Sequence, residues 1–384
     1  MTRVAVSGPV FRWALERSGR TAVLERKFRK LRAVKGTGEI YATLRQLEEL
    51  AKATSTPLGY LFLSRPPEER LPIPHFRTLE DASPRRPSPD LLETVQTMER
   101  RQAWMREYLI EQGHNPLPFV RAARLTDEPR QVAVEMQRTL SLGEGWAADR
   151  PTWTAALREL QRRLEEAGIF VVVSGIVGNN TRRKLDPTEF RGFVLVDDYA
   201  PLVFVNGADG KAAQMFTLAH ELAHLWFGSS AAFDLRELQP ADDETELASN
   251  RVAAEFLVPE RKLRRIWLSV SQDPDRFQTI ARQFKVSELV AARRALDLGL
   301  IRKAEFLTFY RAYQQDERRA AARRPEGGDF YASQNLRIGR RFAEVVVRAA
   351  KEGRLLYREA YHLTGLYGKA FARYAESLGF GTQR

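Results

Sequence analysis

The stretch of sequence that decides the fold is FTLAHELAHLWFG, residues 216–228. It places His220, Glu221 and His224 in an HExxH pattern, inside a predicted helix that ends at Gly228. Two histidines four residues apart lie on one face of a helix, so both imidazoles can bind the same metal ion. Glu221 lies close to that face and can accept a proton from a water molecule bound to the metal. The pattern therefore favours a metallohydrolase over a helix whose histidines make ordinary hydrogen bonds.

The composition excludes several classes of protein. With 384 residues, of which 43% are hydrophobic and 29% charged, the chain is long enough for two or three globular domains. It has no apolar run of membrane-spanning length and no signal-peptide pattern, so we expect a cytoplasmic protein without membrane partners. The absence of cysteine excludes disulfides and leaves nitrogen and oxygen atoms as the metal ligands.

The chain is also strongly basic. Its net charge of +12 and its pI of about 10.0 suit an electronegative partner such as a nucleic acid. The alternative is a solvated, arginine-rich surface, because the arginines are scattered from end to end.

Changes in composition divide the chain into four regions. We expect a helix-turn-helix-like domain over residues 1–63, a proline-rich linker over 64–90, a metallopeptidase domain over 91–262 and a C-terminal helical region over 263–384. In the first region, the apolar spacing of RQLEELAKATSTPLGYLFL predicts a helix that Thr56 and Pro57 end, followed by a second short helix. Two helices joined by a tight turn are compatible with a DNA-binding helix-turn-helix.

The residues before the HExxH helix predict a small sheet. Three short segments, IFVVVSGIV, FRGFVLVDD and PLVFVN, have the composition of strands, and the short connection before Pro201 predicts a hairpin between the last two. An exposed strand edge beside the metal would hold an extended peptide by backbone pairing. We therefore expect a mostly helical α+β fold in which this sheet packs on the HExxH helix, from about Lys211 to Phe227.

A catalytic metal site needs a third protein ligand that leaves one coordination position open. The segment ADDETELASNRVAAEFLVP, residues 241–259, predicts a helix in which Glu246 and Asn250 share one face. Glu246 can then bind the metal while Asn250 contacts a histidine from behind. Glu255 is the competing carboxylate, although it lies among apolar residues on another face, and the alternative for Glu246 is a solvated helix carboxylate. Three acidic residues fit capping roles at the start of the helix: Asp242, Asp243 and Glu244.

The predicted chemistry is hydrolysis of a peptide bond. A metal held by His220, His224 and Glu246 lowers the pKa of its bound water and polarises the scissile carbonyl. Glu221 accepts the proton of the water and returns it to the leaving amine. Zinc is the expected metal from the ligand types, with manganese as the alternative. Two residues are candidate oxyanion donors by sequence position only, Arg191 and Tyr199, and the alternative for each is a structural role.

These residues resemble a known family. FTLAHELAHLWFG followed by ETELASNRVAAEFLVP resembles the paired motif of the ImmA/IrrE metallopeptidases, and the resemblance covers about residues 165–260. FRGFVLVDDYAPLVFVN is similar to the sheet segment that precedes the family's active-site helix. The resemblance implies a zincin-like core of the gluzincin type, with His220, His224 and Glu246 as the metal ligands and Glu221 as the general base.

The flanks resemble those of longer family members. Residues 10–80 are similar to an XRE-type helix-turn-helix region with a proline-rich joint, and the block after residue 265 is similar to the family's helical tail. In place of the Trp-Glu-x-Gly segment common in such DNA-binding domains, this chain has LRAVKGTGEIYAT, which leaves specific DNA binding open. Members of this architecture are implicated in cleaving or inactivating XRE-type repressors, which switches on stress or mobile-element genes.

Two main hypotheses follow. The first is a zinc-dependent endopeptidase that cleaves a regulatory protein, an XRE-type repressor, in a stress or mobile-element response. The alternative is a DNA-binding transcriptional regulator whose peptidase fold is non-catalytic and which contacts DNA through its N-terminal domain and basic surface. A general protease or aminopeptidase is a third interpretation, although no acidic cluster for a free amino terminus stands out.

Overall fold

The computed structural model describes residues 3–29, 31, 38–69, 87–229, 232–233, 244–315 and 334–381. The described residues divide into two compact units, one formed by residues 3–69 and 87–97 and the other by the described residues from 98 to 381. Helix α4, Pro89–Glu111, contains the boundary between them. Among the helices of the described ranges, none combines the length and the apolar composition needed to cross a bilayer.

The first unit combines helices with a two-stranded sheet, whereas we expected helices only. Strands β1, Arg3–Ser7, and β2, Glu39–Thr43, pair antiparallel. Val6 and Ile40 face each other across this ladder and are both buried in the core of the unit, so pairing of these two strands buries apolar surface. The helices are α1 (Gly8–Arg17), α2 (Thr21–Lys27) and α3 (Leu44–Thr54).

Helix α3 is the helix that the apolar spacing predicts in this unit. The Thr43 side chain accepts a hydrogen bond from the backbone N–H of Gln46, and the Gln46 side chain accepts one from the backbone N–H of Thr43. This reciprocal capping satisfies two backbone donors at the start of the helix. The helix ends at Thr54, and a 3-10 turn, Leu58–Phe62, follows Pro57, so the predicted break is confirmed.

Three sets of predicted features lie outside the described residues. They are residues 32–37 of the segment LRAVKGTGEIYAT, residues 70–86 of the expected linker, and the two capping aspartates Asp242 and Asp243. The helix-turn-helix assignment and the linker therefore stay predictions.

The second unit contains a four-stranded sheet in the order β3-β5-β4-β6. Its strands are β3 (Phe170–Ser174), β4 (Gly192–Leu195), β5 (Leu202–Asn206) and β6 (Ala232–Phe233). The first three are the strands that the sequence predicts. β4 and β5 form the predicted antiparallel hairpin, with Leu195 opposite Leu202, while β3 runs parallel to β5.

Strand β4 has a short partner on the side away from β5. Strand β6 pairs antiparallel with β4, with Phe233 opposite Gly192 and Ala232 opposite Phe193. The sequence predicts an exposed strand edge beside the metal without saying which strand provides it, and at Gly192 and Phe193 the edge of β4 is covered. The physical reason is that an unpaired row of backbone N–H and C=O groups accepts a further strand, and the chain itself supplies it.

Helix α7, Lys211–Phe227, packs on β4 and β5 and lies against two other helices, α6 (Trp153–Ala167) and α8 (Glu244–Leu257). Leu218, Leu222 and Leu225 are fully buried, so the helix is surrounded by protein and holds its polar groups in a dry core. The other helices of this part of the unit are α5 (Pro129–Thr139), α6 (Trp153–Ala167), α8 (Glu244–Leu257), α9 (Glu260–Val270), α10 (Arg276–Phe284), α11 (Glu288–Asp297) and α12 (Lys303–Gln315).

The C-terminal residues form a π-helical turn, Asn335–Gly339, and three helices. These are α13 (Arg340–Lys351), α14 (Tyr357–Thr364) and α15 (Gly368–Ser377). The buried guanidinium of Arg101 on α4 donates from Nε to the carbonyl of Leu363 (2.8 Å) and from Nη1 to the carbonyl of Arg337 (3.1 Å). One side chain thus ties two segments of the C-terminal block to α4.

Candidate metal centre

Helix α7 holds the HExxH residues in the interior of the second unit. It begins after Gly210 and ends at Gly228, which adopts the left-handed conformation (φ 76°). His220, Glu221 and His224 each have 0% of their surface exposed. The Nε2 atoms of the two histidines lie 2.9 Å apart, because side chains four residues apart stack on one face of a helix.

Helix α8 brings a carboxylate to the two imidazoles. Oε2 of Glu246 lies 3.1 Å from Nε2 of His220, and Oε1 lies 3.3 Å from Nε2 of His224. One ligand-type atom from each of the three residues lies within 4.8 Å of the others. The geometry therefore groups two nitrogens and a carboxylate, which is a donor set that suits a catalytic metal.

The competing carboxylate, Glu255, points elsewhere. It forms a buried ion pair with Arg294 of α11 and accepts a hydrogen bond from the backbone N–H of Glu260 (3.2 Å). Glu244, the described residue among the three expected to cap α8, is exposed in its first turn. The packing of α8 against α7 thus selects Glu246 over Glu255 as the neighbour of the histidines.

Each histidine also has a polar contact at Nδ1, the ring nitrogen that does not face the other two residues of the group. Nδ1 of His220 lies 3.1 Å from Oδ1 of Asn250, and Nδ1 of His224 lies 2.8 Å from Oγ of Ser229. Asn250 is the residue that the sequence predicts in this position. Ser229 was missed, although its place directly after the helix-ending Gly228 was a usable signal. Such contacts orient a ligating imidazole and determine which ring nitrogen carries the proton.

The hydrogen-bonding capacity of the group calls for a cation. Oδ1 of Asn250 only accepts, so Nδ1 of His220 donates to it and Nε2 of the neutral ring carries a lone pair. That lone pair faces the Glu246 carboxylate at 3.1 Å. Two acceptors at this distance repel unless a positive charge lies between them. The residues present therefore fit a divalent metal ion.

Burial and charge act in opposite directions on these residues. Burial lowers the pKa of His220, which favours the neutral imidazole that a metal requires. Burial alone would raise the pKa of Glu246, but the polar groups of His220 and His224 beside the carboxylate outweigh burial and lower that pKa far below its usual range. Glu246 is therefore an anion next to the neutral imidazole of His220 across the physiological range.

Glu221 is the exceptional group of the site. Both of its carboxyl oxygens are buried and have no hydrogen-bond partner among the residues that the structure describes. Burial, and then the negative charge of Glu246, raise its pKa well above the usual value. The side chain lies against β4, where a Cβ built on Gly192 would come within 3.2 Å of Oε1 of Glu221. A buried carboxyl group without partners is costly unless a ligand or a proton satisfies it.

The two candidate oxyanion donors are placed differently. Arg191 directly precedes Gly192, donates from Nη1 to Asp209 (2.8 Å) and lines a cavity together with Asn250. Tyr199 follows the opposite end of β4, where the guanidinium of Arg106 lies 5.8 Å from the centre of its ring. The structure therefore places Arg191 in the lining of the cavity that Asn250 also lines, and Tyr199 beyond the opposite end of β4.

Comparison with protein families agrees with the geometry of this region. Residues 164–296 match a family of M78 peptidases that is described as the IrrE N-terminal-like domain, which supports an ImmA/IrrE-type, metallopeptidase-like domain. Residues 338–377 match a domain of unknown function, DUF8813. A search of curated proteins gave no match. The M78 match contains all four residues of the candidate site.

Proposed function

We propose that this protein is a zinc-dependent endopeptidase that cleaves a regulatory protein, with an XRE-type transcriptional repressor as the favoured substrate. The observation that carries the proposal is the convergence of His220, His224 and Glu246 beside the unpartnered, buried Glu221. The match of residues 164–296 to a peptidase family supports the peptide bond as the target. The substrate class and the role in a stress or mobile-element response rest on the sequence resemblance of residues 10–80 to an XRE-type region.

In the proposed site, His220, His224 and Glu246 would hold the metal. When bound, the zinc ion acts as a Lewis acid that polarises a carbonyl group and acidifies water. Asn250 and Ser229 hold the two imidazole rings in place through their Nδ1 atoms. Burial favours the neutral form of the His220 ring and excludes bulk water from both rings.

Glu221 has the properties of a general base in this site. Its raised pKa brings the carboxylate closer in basicity to neutral pH, where general bases are most effective. Its oxygens have no competing partners in the described structure, so one of them is available to accept a proton from the attacking water and return it to the leaving amine. The amine departs protonated, and Glu221 is restored to its carboxylate form.

The substitution Glu221→Gln tests this proposal. It keeps the size of the side chain but removes the base, so we expect unchanged zinc content and loss of proteolysis by a factor of about 100 or more. Purified XRE-type repressors, incubated with wild type and variant and followed by mass spectrometry, give the measurement. Undiminished cleavage by the variant would overturn the assignment of the base. Repressors left intact by the zinc-loaded wild type, together with salt-dependent DNA binding that survives His220→Ala, would favour the non-catalytic regulator.

A further inference from the structure

A cavity of about 540 Å³ lies between helices α7 and α8 and is bounded by α11. This volume is in the range of sites that bind organic ligands or several side chains, which is roughly 300–1,000 Å³. The metal ligands themselves do not line it. It is therefore an additional feature next to the metal centre.

The cavity begins one helical turn from the metal centre on each of the two helices. On α7, Phe216 lines it and lies one turn before His220, with the two ring centres 6.5 Å apart. On α8, Asn250 lines it and lies one turn after Glu246. Since Asn250 also contacts His220, a chain bound at the metal reaches the cavity within about one residue's length.

The wall of the cavity is largely apolar. Three helices contribute these side chains: Ala212, Ala213, Phe216, Leu247, Ala254 and Val290. Three of the six are alanines on α7 and α8, and their small side chains leave space that larger residues at these positions would fill. An apolar group that fits this space would bury the apolar side chains of the wall, and this burial favours binding.

Most charged side chains around the cavity already have partners. Arg191 pairs with Asp209 at 2.8 Å, and Arg293 pairs with Asp297 at 2.9 Å. Arg294 forms the buried pair with Glu255 described above. Glu260 pairs with Arg264 at 2.7 Å, and the exposed residues Arg130, Arg251 and Glu128 add further charges of both signs. The lining therefore has no excess of positive or negative charge that would select a charged ligand. Its apolar wall is the surface that a ligand can cover.

We propose that this cavity binds a bulky apolar side chain, such as leucine or phenylalanine, of the substrate peptide next to the scissile bond. This inference rests on the proposed endopeptidase function and adds a specificity to it. Ala213 and Ala254, on facing helices, determine the size of the side chain that fits. Small or charged substrate residues leave the wall uncovered and bind less tightly.

Two hydroxamates test the cavity without any need for catalysis. Both compounds bind a zinc ion through the hydroxamate. Acetohydroxamate carries only a methyl group, whereas the phenyl group of 3-phenylpropanohydroxamate extends from the metal by about the length of one residue. For zinc-loaded wild type, calorimetric titration should show the phenyl compound binding at least about tenfold more tightly. In Ala213→Leu and Ala254→Leu this preference should fall below about threefold, while the affinity for acetohydroxamate stays the same. Ala304→Leu, an exposed alanine on α12 outside the lining, is the matched control and should retain the preference.

The outcomes separate this inference from the proposed function. Equal affinity of wild type for the two compounds, or a preference unaffected by both cavity substitutions, would overturn it. An equal loss of affinity for both compounds in the cavity variants would also overturn the inference, because it would show that the substitutions act on the metal site and not on the cavity. A confirmed preference in a protein that cleaves no peptide would instead contradict the endopeptidase, while cleavage with no selection for an apolar residue would contradict the cavity alone.

Discussion

The hydroxyl oxygen of Ser229 lies 2.8 Å from Nδ1 of His224, although the two residues are separated by the end of helix α7. The left-handed Gly228 turns the chain back, so that the backbone N–H of Ser229 donates to the carbonyl of His224 (3.0 Å) while its side chain reaches the ring. The helix ending thus positions a contact to a candidate metal ligand.

The substitution Ser229→Ala should weaken metal binding without unfolding the protein. Loss of a contact that orients a ligating histidine typically lowers metal affinity by about 10–100-fold. Zinc affinity measured against a competing chelator is the readout. Ser249→Ala is the control, because this buried hydroxyl has no partner within the described structure. If both variants bind zinc like wild type, Ser229 has no role in orienting His224.

Removing a predicted ligand should remove the metal. Elemental analysis should find about one zinc per chain in wild type and none in His220→Ala or Glu246→Ala, because three protein ligands are needed for tight binding. Zinc should also raise the melting temperature of wild type alone. Glu244→Ala, in the same turn of α8 but exposed, should keep its zinc. Retention of zinc by Glu246→Ala would remove this residue from the ligand set.

The close contact between β4 and α7 predicts the effect of enlarging Gly192. A Cβ at this position would come within 2.5 Å of Cγ2 of Thr217 and 2.8 Å of the carbonyl oxygen of Phe204. Because that carbonyl belongs to the neighbouring strand, Gly192→Ala should move β4 away from Glu221 and destabilise the fold by about 1–3 kcal/mol. Gly210→Ala, which meets no atom within 4 Å, is the control. Chemical denaturation and peptide cleavage together provide the test, and unchanged values for both would contradict the contact.

The raised pKa of Glu165, which lies outside the metal centre, predicts that the stability of the protein depends on pH. Burial raises its pKa to about 7, against the ordinary 4.5, despite hydrogen bonds with the backbone of Arg340 and Arg341. The folded protein therefore holds this proton more tightly than the unfolded chain, and stability falls as pH rises from about 4.5 to 7.

Glu165→Gln should remove this loss of stability. At pH 8 we expect the variant to be more stable than wild type by on the order of 1–2 kcal/mol, and the difference should vanish near pH 4. Denaturant titrations at both pH values measure it. The exposed Glu166, paired with Arg162, provides the control substitution Glu166→Gln. A difference that does not depend on pH would contradict the buried carboxyl as its cause.

The sequence by itself determined those features that lie within one element. The spacing of His220 and His224, the bounds of α7, the three strands and the hairpin between β4 and β5 are all present as predicted. Helical and strand periods act over a few residues, and glycine ends a helix through its own backbone freedom. Such features need no knowledge of what packs against the element.

Tertiary structure alone decided which elements meet. It packed α8 on α7, so that the predicted Glu246 meets the histidines, added β6 beside β4, brought Ser229 to His224 and opened the cavity lined by Ala213. Each of these depends on how α8, β4 and α11 pack around α7, and the free energy of that packing comes from contacts between residues far apart in the chain. Local periodicity contains no information about such contacts, because it describes only the face that an element buries and not the partner that covers it.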